Sequence, residues 1–311
     1  MDFKHIPVML NEVLDGLNIK EDGIYVDCTV GGGGHSFEIA KRLKAGHLYA
    51  FDRDEDAIEK STQTLKEFAD KVTLIKSNYK QAPEKLKELG IEKIDGFLID
   101  LGVSSYQIDT GERGFSFVHD GPLDMRMDRQ EATTTAKEVV NEFSYEDLVR
   151  IFQTYGEEEF ARNIAKNIVK EREQNPIETT FQLREIIENS MPKKVVFSRG
   201  GASKKVFQAI RIYVNDELDG LDKLVEQLVD MLAPKGRGCI LTFHSLEDRI
   251  VKNVFKFAST GCICPPRTPI CICGHKASIT LPNRKPIIAT EEEQKTNSRS
   301  TCAKLRIAEK L

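Results

Sequence analysis

From Tyr25 to Phe97 short apolar runs alternate with amphipathic stretches. The runs near Tyr25, Tyr49, Thr73 and Phe97 predict strands, and 36–43, 54–68 and 81–89 carry apolar residues at helical spacing. Strand and helix in alternation make a mainly parallel sheet with right-handed crossovers, so the expected class is α/β. Ligands of such sheets gather at the carboxyl ends of the strands. The residues just after each run therefore matter most: Asp27 and the glycines behind it, Asp52, Asn78 with Tyr79, and Asp100 with Leu101, Gly102 and Val103.

After Val103 the alternation stops. Residues 107–127 read as a loop rich in Gly, Arg and aromatics, and 135–190 turns helical, with caps expected at Ser144 (Asp147 three residues on) and Thr179 (Gln182 three residues on). One long amphipathic segment, 206–232, leads into a strand at 239–243, a helix at 246–258 and a last strand at 303–308. The expected organisation is a discontinuous sheet domain, 1–107 and 208–311, interrupted by a helical substrate-recognition domain, 108–207.

Composition adds little. Of 311 residues, 40% are hydrophobic and 30% charged, with a net charge of −4, which is ordinary for a globular protein and carries no nucleic-acid signal. No apolar stretch is long enough for a membrane span, and the start lacks a signal-peptide core, so a cytoplasmic location is expected. Seven cysteines in that setting argue for free thiols or metal ligands over disulfides.

The candidate chemistry begins at the four glycines Gly31 to Gly34, a bare backbone leading into a helix. A phosphate-binding P-loop would need a Lys-Ser/Thr pair after the last glycine, and His35, Ser36 and Phe37 follow instead. The dinucleotide fingerprint fits at Gly31 and Gly33 but meets Ser36 at its third glycine, which weakens the dehydrogenase reading without removing it. Asp52, about 20 residues on, is placed to accept ribose hydroxyls. A ribose without a phosphate clamp suits S-adenosyl-L-methionine. The bland alternative makes the glycines a turn and Asp52 a helix cap.

Several strings carry a more specific signal: Val8-Met9-Leu10-Asn11-Glu12, Gly33-Gly34-His35, Phe51-Asp52-Arg53-Asp54, Asp100-Leu101-Gly102-Val103-Ser104-Ser105, Glu112-Arg113-Gly114-Phe115-Ser116-Phe117, Asp120-Gly121-Pro122-Leu123-Asp124-Met125-Arg126-Met127 and Phe243-His244-Ser245-Leu246-Glu247-Asp248-Arg249. Together, and across nearly the whole chain, they resemble the bacterial ribosomal RNA small subunit methyltransferase H family. The resemblance implies a class I, Rossmann-like methyltransferase sheet with a helical insertion. It also implies an S-adenosyl-L-methionine-dependent enzyme that methylates N4 of a cytidine near the decoding site (P site) of 16S rRNA. Its cofactor contacts carry over onto Gly33, Gly34, His35, Asp52, Tyr79, Asp100 and Gln107, with Tyr79 where some relatives have phenylalanine.

Methyl transfer from a sulfonium needs positioning more than acid catalysis, and the cytosine amine needs an acceptor for its hydrogens as it attacks. The Asp/Asn-Pro-Pro-aromatic string of many amino methyltransferases is replaced here by Asp100-Leu101-Gly102-Val103, which leaves the Asp100 carboxylate or the Leu101 carbonyl as that acceptor. Tyr106, Phe115 or Phe117 would stack on an extruded base, the alternative for the two phenylalanines being local packing. His244 reads as a catalytic group or as a helix cap. Arg113 and Arg126 are RNA-contact candidates, although Asp124 offers Arg126 an internal ion pair. Lys193, Lys194, Arg199, Lys204 and Lys205 form a basic segment suited to phosphate contact or simply to a solvated loop.

Cys262, Cys264, Cys271 and Cys273 make a C-x-C-x6-C-x-C pattern, expected to hold a structural zinc ion, with His275 as a substitute ligand and unbound thiols as the other reading. Cys28, Cys239 and Cys302 are expected in the core. Two competitors remain: a dehydrogenase, and a ribosome-assembly factor that binds RNA without catalysis. An apolar face on the inserted helices would serve a homodimer or simply the core.

Overall fold

The computed structural model describes residues 7–130, 132–198, 203–265 and 270–311. The chain divides into two compact units, 1–102 with 219–311, and 103–218. The first carries the expected α/β fold. Its strands are β1 (Ile24–Asp27), β2 (His47–Asp52), β3 (Val72–Lys76), β4 (Ile94–Asp100), β5 (Leu232–Thr242), β6 (Ile279–Thr280), β7 (Ile287–Ile288) and β8 (Lys304–Lys310). They form one sheet in the order β3-β2-β1-β4-β5-β8-β6, with β7 also on β8. The first five strands run parallel, and β8 is antiparallel to β5, β6 and β7.

Alternation along the strands divides the core between the two faces of the sheet. Tyr25, Leu48, Leu98 and Leu241 pack on one side with Val13, Leu17, Ile39 and Ala40 from helices Leu10–Leu17 and Gly34–Arg42. Val26, Phe51, Phe97 and Ile240 pack on the other with Leu86, Leu224, Leu228, Val251 and Phe255. Covering both faces leaves the strand ends as the place where polar groups can meet a ligand.

The second unit is helical. Helices Ala136–Glu142, Tyr145–Gly156, Ala161–Arg172, Thr180–Asn189 and Lys204–Asn215 share one core, in which Val140, Phe152, Ile164, Leu183 and Ile210 are buried. The expected caps form: the Ser144 side chain accepts from Asp147 N, and Thr179 and Gln182 close a capping box. The apolar faces of these helices turn into this common core, which accounts for the pattern behind the dimer expectation.

The segment read as one helix over 206–232 is two, Lys204–Asn215 and Leu221–Met231. Asp216 and Gly220, at φ 49° and 70°, break it. Because the first of these helices packs in the helical core, the unit boundary lies at 218/219 rather than 207/208, and the earlier one at 102/103 rather than 107/108.

Candidate active site

In the sheet unit, Asp27, Asp52 and Asp100 end β1, β2 and β4, and Tyr79 opens the short turn after β3. The glycine loop is tied to its neighbours on both sides. Val30 N donates to Phe51 O at 2.8 Å, Cys28 N to Leu98 O at 2.9 Å, and Gly31 N to Asp52 Oδ2 at 2.9 Å. Gly31 and Gly33 take φ of 50° and 83°, a region L side chains avoid, and Gly33 caps helix Gly34–Arg42. Gly34 serves a different need: a Cβ there would lie 2.5 Å from Pro7 Cγ.

Asp52 does two jobs. While Oδ2 holds Gly31 N, Oδ1 accepts from Asp54 N at 3.0 Å. The cap of the next helix is Asp54, whose side chain accepts from Asp56 N, so Asp52 is not itself that cap. Each of its oxygens retains a second lone pair for a ribose hydroxyl. Burial pushes its carboxyl up to about 6.

Asp27 accepts from Ser36 Oγ at 2.7 Å and from Thr29 N at 3.1 Å, and burial raises it to about 6 as well. Thr29 in turn accepts from Asp100 N at 2.7 Å. Asp27, Thr29 and Ser36 thus hold the floor of the site, a role that the sequence pattern did not assign to them. Asp100 is the least satisfied group. Its Oδ1 is buried with no hydrogen-bond partner, and its Oδ2 lies 3.7 Å from His35 Nδ1. Burial, then the nearby charges of Asp27 and Glu247, push Asp100 up to about 8.

His35 is buried, and its Nε2 meets Val8 O at 3.0 Å. A carbonyl only accepts, so Nε2 carries the proton, and a neutral ring turns the Nδ1 lone pair toward Asp100. His244 caps helix Ser245–Ala258 in a capping box with Glu247, whose Oε1 lies 3.0 Å from His244 Nε2. The capping reading of His244 is thus the one formed.

The remaining candidates lie in the helical unit. Gln107 is buried and closes a capping box, its Oε1 accepting from Ser104 N at 3.0 Å. Arg113 is 2% exposed and donates to the carbonyls of Arg126 and Met127, both at 3.1 Å. Its guanidinium cannot reach RNA phosphate; this corrects the expectation for Arg113. Arg126 makes the internal pair instead, with Nε and Nη2 at 2.8 and 3.0 Å from the Asp124 carboxylate. Asp124 is held below the usual carboxylate range by that pairing, against its burial.

Lys193, Lys194 and Lys204 are exposed, whereas Lys205 Nζ donates to Glu157 O at 2.8 Å, at the end of helix Tyr145–Gly156. Arg199 lies outside the described residues. Phe115 is buried, which corrects its stacking expectation; Phe117 is half-buried and packs edge-on to Phe207, as the local-packing alternative has it; Tyr106 is 54% exposed. Phe197, not singled out in the sequence, is 92% exposed beside the lysines.

The four cysteines of the C-x-C pairs come together. Cys28 and Cys239 are buried as expected, but Cys302 is exposed on a short helical turn. No helix among the described residues is long and apolar enough to cross a membrane.

Comparison with known proteins agrees over the full length. Ribosomal RNA small subunit methyltransferase H of Finegoldia magna is 54% identical over 312 residues, covering all of both chains. Proteins of the same name from Lachnospira eligens and Brevibacillus brevis are 52% and 48% identical, each match covering all of this chain and 99% of the relative. Residues 2–311 match the MraW methylase family. With the match spanning the sheet unit and the helical unit alike, the chain belongs to that family.

Proposed function

We propose that the chain transfers the methyl group of S-adenosyl-L-methionine to N4 of a cytidine near the decoding site of 16S rRNA. The observation that carries the cofactor is the set of three carboxylates at adjoining strand ends, Asp27 buried and Asp52 and Asp100 half-buried, all with raised pKa. Such a site favours a cation over a phosphate. When bound, the cofactor supplies an electrophilic methyl group on a positively charged sulfur. The chain's residues fit it: the glycine backbone approaches closely, Asp52 has lone pairs for ribose, Tyr79 offers an aromatic face, and the orphaned Asp100 Oδ1 seeks a donor.

Family membership and the relatives' shared name support an rRNA substrate, and the motif resemblance supports cytosine N4. Asp100 is the group proposed to accept from the amine. Purified small subunits, free 16S rRNA, DNA and a blank should be offered labelled S-adenosyl-L-methionine, followed by nucleoside analysis. Label in N4-methylcytidine of rRNA is expected; label elsewhere, or none, rejects the substrate.

Phosphate contact by the helical unit is assigned to Lys193, Lys194 and Lys204, with Phe197 and Tyr106 as exposed stacking faces. Replacing Lys193 and Lys194 together by Ala should flatten the salt dependence of RNA binding by one to two phosphate contacts, roughly 0.7 to 0.9 in log–log slope for each. Arg113→Met should leave that slope unchanged and lower stability by about 2 to 3 kcal/mol, because two buried carbonyls lose a charged donor. Salt titrations of binding and denaturant melts separate the two outcomes.

A further inference from the structure

Just beyond helix Ser245–Ala258, the described residues of 259–278 contribute no buried side chain to the core. Ile263, Ile270 and Ile272 are 48%, 77% and 82% exposed. The four thiols in this stretch nonetheless converge. Cys262 Sγ lies 3.5 Å from Cys271 Sγ and 3.8 Å from Cys273 Sγ, Cys264 Sγ lies 3.9 Å from Cys271 Sγ, and Cys271 and Cys273 are 3.5 Å apart. All four sulfurs fall within 4.8 Å of one another. A tetrahedron with zinc–sulfur bonds of about 2.3 Å has sulfur–sulfur edges of roughly 3.8 Å.

From this geometry we infer that Cys262, Cys264, Cys271 and Cys273 bind one zinc ion as four thiolates. The surrounding backbone is arranged for negative sulfur. Ile272 N donates to Cys264 Sγ at 3.4 Å, and the backbone amides of Ile263 and His275 hydrogen-bond Cys273. Such donors orient metal-bound thiolates and offset their charge. His275 is not a ligand through Nε2, which meets Phe257 O at 3.1 Å while the ring stacks on Phe257 at 4.5 Å. That contact fastens the cluster to the end of the helix. Four sulfurs leave no open coordination position, so the ion is structural and takes no part in methyl transfer. Its binding energy replaces the missing core.

The full chain, purified reduced from zinc-supplemented medium, should carry about one zinc per molecule by elemental analysis. Cobalt exchanged into the same chain should give the intense visible bands and sulfur-to-metal charge transfer of a tetrahedral thiolate site. Cys271→Ser should abolish both signals while far-ultraviolet dichroism is kept. Stripping the metal should speed amide exchange across 260–275. A reduced chain with neither stoichiometric zinc nor the cobalt spectrum overturns the site, as does a folded Cys271→Ser chain that keeps both. Should that variant fail to fold, the cobalt spectrum of the unsubstituted chain decides alone.

Discussion

Asp100→Asn is expected to lower turnover by about a hundredfold or more while making the cofactor-free protein more stable near pH 8. The first effect is the usual size for removing a positioned proton acceptor. The second follows from burial. In the folded chain the Asp100 carboxyl holds its proton up to about pH 8, against an ordinary value of 3.8. The unfolded chain has released that proton, so the native state binds more protons and stability falls as pH rises between the two values, levelling off above the upper one. Asp27 and Asp52, raised to about 6, act the same way at lower pH. His47, held below its usual range mainly by burial, acts in the opposite sense and only below about 6.5. Cys273, held down to about 6 by backbone hydrogen bonds from Ile263 and His275, acts in the opposite sense over roughly pH 6.5 to 7.5 in both chains, so it is the difference between the two chains that belongs to Asp100, at most about 1.4 kcal/mol per pH unit. Melts of the two chains across that window should diverge, the parent losing stability relative to the Asn variant as pH rises.

Binding a cation reverses the argument. S-adenosyl-L-methionine should draw the proton off Asp100, so its affinity for the parent should rise with pH by up to about tenfold per unit over the same window, and that of Asp100→Asn should not. Calorimetry in two buffers of different ionisation enthalpy measures the released proton directly. A variant that binds without pH dependence and turns over at the parental rate would remove Asp100 from the chemistry. On the proposed reading, the unsatisfied Oδ1 is an acceptor left open for that ligand.

The placement of the candidate carboxylates was legible because it depends on local order along the chain. An apolar run followed by a carboxylate, repeated at Asp27, Asp52 and Asp100, fixes both the strand and the end at which the carboxylate lies. What stayed hidden depends on which core a residue enters. The apolar period runs through 206–232 without a gap, yet Lys204–Asn215 packs with the inserted helices while Leu221–Met231 packs on the sheet, and the turn at Asp216 and Gly220 separates them. Arg113 looks like a nucleic-acid contact because arginine is rarely buried. The carbonyls of Arg126 and Met127, from a loop more than ten residues away, help make its burial tolerable. Phe197, which the pattern did not single out, is left on the surface by the fold. The cysteine spacing was visible, but the sulfur distances that suit zinc required the folded loop.

Asp52→Ala is expected to weaken cofactor binding by about two orders of magnitude and to cost about 2 to 3 kcal/mol of stability. The stability loss arises in the apo protein, where Gly31 N and Asp54 N lose their acceptors at the same time. The affinity loss has two sources, a loosened glycine loop and a missing ribose acceptor, and they can be separated. Asp52→Asn retains one acceptor oxygen but presents an amide N–H₂ to the other backbone donor, so it should recover part of the stability and little of the affinity. A cofactor analogue lacking its ribose hydroxyls supplies the second arm of the cycle. If Asp52 holds those hydroxyls, the analogue should bind the parent about 10 to 100 times more weakly than the natural ligand, and the Asp52→Ala chain nearly as well as the natural ligand does. Equal losses in both chains would leave Asp52 as a strut of the loop alone and move ribose recognition elsewhere in the sheet unit.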